Sequence, residues 1–345
     1  MAGAGAWRLL ARMNVAILGA GAWGTALALH CHRAGHVVTL VPRRLEHALV
    51  LAAARENGEY LPGYALPPDL QIGLEVRPAL MEADVVLLAC PMRGLRELAQ
   101  AVGRQMDAAW AKPMFVTLCK GMEQDTFKLP CAVVAEVLPG MDTAVLSGPS
   151  HAAEVAAGQP TAVVLATQAD DKRARAVQAA LSGPSLRVYR SRDVIGVEAA
   201  AALKNVYAIG AGLCDGLKLG DNAKAAYLTR ALHEMATLGA HLGGQTATFY
   251  GLGGFGDFVA TCNGQWSRNR TFGEEIAKGH SPESLLSHRH TVVEGHAATA
   301  AFAALCRREK IEAPILAEIY ALLYDGRDPR EAIQRLMGRE LKEED

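Results

Sequence analysis

Short, almost unbroken apolar runs recur through the first half of the chain. Val15-Ala-Ile-Leu18 ends at Gly19, His36–Val41 ends at Pro42, and Asp84–Ala89 is halted by Pro91. Met114–Leu118 runs into Cys119-Lys120-Gly121, Thr143–Ser147 into Gly148-Pro149-Ser150, and Thr161–Thr167 closes the series. Runs of this length without polar alternation predict strands buried on both faces of a parallel sheet. Trp23–Ala34 is alanine-rich and predicts a helix ended by Gly35, and Arg44–Glu56 predicts a second. Asn57–Leu70, rich in glycine and proline, reads as a loop. Strands alternating with helices imply an α/β, Rossmann-type, doubly wound sheet.

The pattern changes near Asp193. From there to Gly243 alanine and leucine recur at helical spacing, with Leu203, Val206, Ile209 and Gly210 on one face around Lys204. Gly251–Asn269 reads as a glycine- and asparagine-rich loop, after which helical patterning resumes. The expected organisation is a tail or alternative start over residues 1–12, a nucleotide-binding domain over 13–195, an all-α C-terminal domain over 196–338, and a charged tail over 339–345.

Composition changes this picture little. A length of 345 residues fits two domains at about 150 residues each. With 35 basic and 36 acidic residues there is no global field for nucleic acid or an anionic membrane. No apolar run approaches the ~18 residues of a membrane span, so a cytoplasmic home is expected. The seven scattered cysteines contain no Cys-x-x-Cys pair and read mostly as small buried hydrophobes in a reducing compartment. The eleven histidines form no metal set: Gly35 separates His32 from His36, and His288, His290 and His296 lack zinc-helix spacing.

Chemistry enters at Gly19-Ala20-Gly21-Ala22-Trp23-Gly24. Gly19 permits a sharp turn, Gly21 lets backbone approach a pyrophosphate, and Gly24 permits close helix–strand packing. Its place between a strand and a helix, in a βαβ unit of ~30 residues, makes this a dinucleotide site. Trp23 reads either as an apolar wall beside the cofactor or as ordinary packing. An acidic residue at the end of the second strand would favour NADH. This chain instead has Arg43 and Arg44, whose guanidiniums suit the 2′-phosphate of NADPH, with Glu46 near enough to neutralise them in part.

Hydride transfer to a carbonyl needs a proton donor, and Lys120, His151, Lys204 and His233 are candidates. Lys204 stands out inside the apolar helix Ala199-Ala-Ala-Ala-Leu-Lys-Asn-Val206, since lysine is rarely buried without a task or a partner. Desolvation would lower its pKa; the alternative is a lysine snorkelling at a helix edge. Lys120 and Ser147-Gly-Pro-Ser150 stand at strand ends, where open α/β sheets bind ligands, although turns use the same residues. Asp257, closing Gly251-Leu-Gly-Gly-Phe-Gly, could orient a lysine or a substrate hydroxyl, and Ser267-Arg268-Asn269 could grip a phosphate.

Taken together these residues closely resemble the bacterial NAD(P)-dependent glycerol-3-phosphate dehydrogenases, from Met13 onward. The resemblance rests on Gly19-Ala-Gly-Ala-Trp-Gly-Thr25, Cys119-Lys-Gly121, Ser147-Gly-Pro-Ser-His-Ala-Ala-Glu-Val155, Ala202-Leu-Lys-Asn-Val206, Gly256-Asp257, Thr261-Cys262 and Ser267-Arg-Asn269. It implies that Lys204 is the proton acceptor for glycerol 3-phosphate and the donor in reverse. It implies substrate binding by Lys120, Gly148, Ser150, Asp257, Ser267, Arg268 and Asn269. Trp23, Arg43, Ala152, Val292 and Glu294 would bind the cofactor, with Lys120 and Arg268 close to it. The helical domain, a homodimer and a supply of glycerophospholipid backbone are implied as well. Pro42 and His151 depart from the family's usual residues. Two rivals remain: a dehydrogenase of hydroxy or sugar acids, which needs a carboxylate site, and an NADPH sensor that binds without turnover.

Overall fold

The computed structural model describes residues 12–287, 293–341 and 343. Ten strands are described: β1 (Asn14–Leu18), β2 (Val37–Val41), β3 (Glu56–Asn57), β4 (Leu61–Ala65), β5 (Gln71–Ile72), β6 (Val85–Leu88), β7 (Met114–Thr117), β8 (Thr143–Ser147), β9 (Thr161–Thr167) and β10 (Leu186–Ser191). Eight form one sheet in the order β10-β9-β8-β7-β6-β1-β2-β5. Along β1, Val15 and Ile17 join one apolar cluster while Ala16 and Leu18 join the other. The twofold alternation of a strand thus buries both faces, which is why β1 lacks polar alternation.

Two findings differ from the sequence expectation. β8 and β9 are antiparallel, so β9 and β10 run against the rest of the sheet. The link from β8 to β9 holds only the short helix Ala152–Ala156. The expected loop over 57–70 instead contributes to the β3–β4 hairpin. Strands of two and five residues, one holding Pro62 and Gly63, leave no periodic signature.

The chain divides into two compact units: the residues through Lys120 with Leu129–Glu198, and Gly121–Lys128 with the residues from Ala199 onward. The first holds the sheet. It also buries two titratable side chains. His30 donates Nε2–H to the Leu181 carbonyl at 3.0 Å, and burial pulls its imidazole down to about 4. Glu198 accepts the Cys131 N–H at 2.8 Å, and burial pushes its carboxyl up to about 7.

The second unit is helical. Its longest helix, Val194–Gly216, begins within the first unit, is apolar enough to cross a membrane, and has 89% of that apolar window buried, as in a core helix. Gly251–Asp257, expected as a loop, is a π-helical turn over Leu252–Gly256 leading into the helix Asp257–Asn263. Buried Glu234 accepts hydrogen bonds from the Tyr207 hydroxyl (2.9 Å) and from the N–H groups of Ile315 (3.0 Å) and Leu316 (2.8 Å). It thereby caps the helix Pro314–Tyr324, whose own preceding residue, Ala313, has no capping side chain.

Candidate functional site

In the first unit the glycine turn divides its work among three positions. Gly19 has φ +115°, and a Cβ there would lie 2.2 Å from the Ala89 carbonyl oxygen. A Cβ on Gly24 would lie 2.1 Å from the Gly19 oxygen. Around Gly21 nothing lies within 4 Å of an added Cβ, so this N-cap of the helix Ala22–Arg33 is open. Steric closure at two glycines and an open backbone at the third fit a pyrophosphate at the helix start. Ala22 begins that helix, and Trp23 is half-buried against the sheet core.

The Gly19 N–H donates to the Val41 carbonyl at 2.8 Å, which ties the turn to the end of β2. Arg43 and Arg44 follow after Pro42, both exposed. Arg44 bonds both carboxylate oxygens of Glu59, at 2.8 and 2.9 Å, and not Glu46. Arg43 makes no ion pair among the described residues.

Asn57 is a supporting residue that sequence reasoning missed. Wholly buried, it donates Nδ2–H to the Ala20 carbonyl at 2.8 Å and to Thr25 Oγ1 at 2.7 Å. Its Oδ1 accepts the Tyr60 N–H at 3.3 Å and lies 3.2 Å from His47 Nε2. One amide therefore pins the glycine turn to its helix. Nothing local in the sequence marks an asparagine 37 residues from its partner.

Lys120, Gly148 and Ser150 are brought together at the ends of β7 and β8. The Gly148 carbonyl accepts from Ser150 Oγ at 2.8 Å and from Lys120 Nζ at 3.5 Å. Ala152 begins the next short helix, whose far end is held by Arg33 through the Val155 and Ala156 carbonyls at 2.7 and 2.5 Å. Burial pulls the neighbouring His151 imidazole down, and Glu154 opposes that shift.

In the second unit Lys204 is 4% exposed and Asp257 1%. Lys204 Nζ donates to Asp257 Oδ1 at 2.5 Å and to Thr261 Oγ1 at 2.7 Å. The Thr261 hydroxyl in turn donates to the Asp257 backbone carbonyl at 2.7 Å. Asp257 and Thr261 lie one turn apart on the helix Asp257–Asn263, so a single helix face holds the ammonium in a fixed direction. The lysine is not a snorkelling one, because its charge is buried and paired. His233 is exposed on the helix Asp221–His241.

Ser267-Arg268-Asn269 is the start of a helix, Arg268–Ala277, where the sequence implied the end of a loop. Ser267 is its N-cap, accepting the Arg270 N–H at 3.3 Å. Buried Asn269 donates to Asn205 Oδ1 and accepts from the Gly295 N–H, both at 3.0 Å. Arg268 is exposed on the first turn. Glu294 opens the helix Glu294–Glu309, while Val292 lies outside the described residues. No metal-holding group of three or more His, Cys, Asp or Glu occurs among the described residues.

Comparison with known proteins agrees with this layout. Residues 14–173 match the NAD-dependent glycerol-3-phosphate dehydrogenase N-terminus, and residues 193–334 match the C-terminus of the same family. A glycerol-3-phosphate dehydrogenase (NAD(P)+) of Thiobacillus denitrificans is 44% identical over 333 residues, covering 96% of this chain and 100% of the relative. One from Thermus thermophilus is 45% identical, with coverage of 96% and 100%. The crystal structure of glycerol-3-phosphate dehydrogenase from Coxiella burnetii superposes with a TM-score of 0.89 at 37% identity, covering 95% of this chain and 99% of that one.

Proposed function

The chain belongs to the NAD-dependent glycerol-3-phosphate dehydrogenase family, and from that premise we propose how its residues divide the reaction. It is an NAD(P)-dependent oxidoreductase that interconverts dihydroxyacetone phosphate and sn-glycerol 3-phosphate. A bound nicotinamide dinucleotide supplies the hydride for the carbonyl carbon. Lys204 gives a proton to the carbonyl oxygen as negative charge develops there, and takes it back in the oxidative direction. The observation that carries this reading is the buried Lys204–Asp257–Thr261 group: Asp257 holds the ammonium and Thr261 aims it.

Ser267, Arg268 and Asn269 hold the substrate phosphate, because a capped helix start and a guanidinium both attract an anion. Lys120, Gly148 and Ser150 hold the oxygens of the triose, and Asp257 completes the substrate set. Gly19, Gly21, Ala22, Trp23 and Gly24 seat the cofactor, with Lys120, Ala152, Arg268, Val292 and Glu294 as further contacts. Arg43 receives the 2′-phosphate of NADPH and makes NADPH the preferred cofactor over NADH. Arg44 assists less, being engaged with Glu59. We read the protein as a cytoplasmic homodimer supplying glycerophospholipid backbone.

Steady-state turnover of dihydroxyacetone phosphate and of unphosphorylated dihydroxyacetone, each with NADPH and NADH, tests this assignment. Removing the phosphate should lower kcat/KM by orders of magnitude, and NADPH should outperform NADH. Equal use of the two substrates, or a hydroxy acid turned over faster than either, would remove the phosphate clamp from the account.

A further inference from the structure

β6 and β7 pair in parallel, with Val85 opposite Met114 and Leu88 opposite Thr117. Carried two residues past the strand ends, that register sets Cys90 opposite Cys119. Hydrogen bonds hold the chains together there: the Leu118 N–H donates to the Leu88 carbonyl at 3.2 Å, and the Cys119 thiol to the Cys90 carbonyl at 2.9 Å. The two sulfurs are 3.8 Å apart. Directly opposed residues on neighbouring strands keep their Cα atoms about 4.8 Å apart. That spacing falls inside the range disulfides adopt, about 4.4–6.8 Å, so bonding needs side-chain rotation more than backbone movement.

Cys31, Cys131, Cys214, Cys262 and Cys306 are buried, and burial pushes each thiol up, away from the reactive thiolate. Cys119 is buried as well, whereas Cys90 is half-buried, so an oxidant can reach Cys90. Neither Cys90 nor Cys119 is among the residues assigned above to carbonyl reduction.

We propose that Cys90 and Cys119 form a redox modification site: a peroxide converts the pair to a disulfide that suppresses turnover, and a dithiol restores it. Cys90 as thiolate attacks one peroxide oxygen, the O–O bond breaks, a sulfenic acid forms and the other oxygen leaves as water. The Cys119 thiol then attacks that sulfur, the S–S bond forms, and the thiol proton leaves with the sulfenic oxygen as a second water. Two electrons and two thiol hydrogens pass to the peroxide.

Cys119 directly precedes Lys120, whose Nζ hydrogen-bonds the Gly148 carbonyl at 3.5 Å. Bond formation withdraws the Cys119 thiol from the Cys90 carbonyl, which removes one of the ties that fix the strand end carrying Lys120. This consequence for turnover rests on the substrate-binding reading of Lys120; the cross-link does not.

The test treats the full-length enzyme with hydrogen peroxide, maps its peptides without reduction, and assays turnover before and after dithiothreitol. A linked Cys90–Cys119 peptide is expected, with kcat falling about a hundredfold, as misplacing a positioning group by about an ångström can do. Dithiothreitol should restore the rate. Cys90→Ser should keep the untreated rate and lose the reversible inhibition. The proposal is overturned if no linked peptide forms, if it forms with turnover unchanged, or if Cys90→Ser is inhibited and recovers as the wild type does. A normal rate for Lys120→Ala would count against the role of Lys120 and leave the cross-link standing.

Discussion

The glycine turn and the buried lysine are encoded in opposite ways. Gly19 to Gly24 is a single window whose steric demands are met by the missing side chains of the window itself and by one neighbouring residue, Ala89. Lys204 meets its partners Asp257 and Thr261 across 53 and 57 residues. Backbone sterics can be written locally. A buried charge needs a compensating group, and folding alone decides which one arrives.

The largest break in that comparison is on the local side. Gly19→Val would set a Cβ 2.2 Å from a backbone oxygen at φ +115°. A loss of more than about 4 kcal/mol is expected, together with loss of NADPH binding. Thermal melts with and without NADPH check it; a ligand-dependent Tm rise like that of the wild type would contradict the steric account.

On the distant side, Asp257→Asn removes the anion and leaves the ammonium buried. Stability should drop by about 3 kcal/mol. At temperatures where the variant is folded, kcat should fall about a hundredfold, a loss of about 2.7 kcal/mol in the barrier, with NADPH affinity retained. Steady-state kinetics beside equilibrium binding would expose the opposite pattern, intact kcat with weakened NADPH.

Asn57→Ala probes a dependence of the local motif on distant support. Two buried acceptors, the Ala20 carbonyl and Thr25 Oγ1, would lose their donor. The expected cost is about 2 kcal/mol of stability and about a tenfold weaker NADPH Kd, with kcat at saturation little changed. Fluorescence titration of NADPH decides whether the turn needs this amide.

The smallest effect contrasts buried carboxylates with and without a cation. Asp257 faces Lys204, whereas Glu198 is held by the Cys131 N–H and sits at about 7. Between 4.5 and 7 folded Glu198 keeps a proton that the unfolded chain has lost, so its contribution to stability falls as pH rises. His30, at about 4 when folded against 6.5, works in the other direction: the unfolded chain takes up the proton and stability falls as pH drops through that window. In their shared range the two slopes, each at most about 1.4 kcal/mol per pH unit, oppose one another. Glu198→Gln should therefore lose up to about 1.4 kcal/mol relative to wild type on going from about pH 6.5 to 5.5. Urea unfolding at both pH values reads this directly, and a difference that does not change with pH would rule out titration of Glu198.

The sequence already carried the main strands, the glycine turn and the suspicion attached to Lys204, because apolar runs, steric need and an improbable buried charge are all visible along one chain. It did not carry the partners. Asn57 looked like part of a loop, and Glu46 was nearer to Arg44 in sequence than its actual partner, Glu59. The glycines before Asp257 implied a flexible loop, yet they pack as a π-helical turn; a Cβ on Gly254 would lie 2.2 Å from the Phe249 carbonyl oxygen. The antiparallel direction of β9 was not legible either, because an apolar run reads the same in both directions. The contacts of Asn269 with Asn205 and Gly295 were hidden for the same reason: each joins segments far apart in the chain.

The most direct measurement is made on Lys204→Ala, with NADPH affinity and saturated reduction of dihydroxyacetone phosphate determined on one preparation. The account predicts an NADPH Kd within about twofold of wild type and a kcat lower by about 10²- to 10⁴-fold, the range of a lost general acid. A near-normal kcat would contradict Lys204 as the proton donor, and simultaneous loss of NADPH binding would contradict the division of labour between the glycine turn and the lysine.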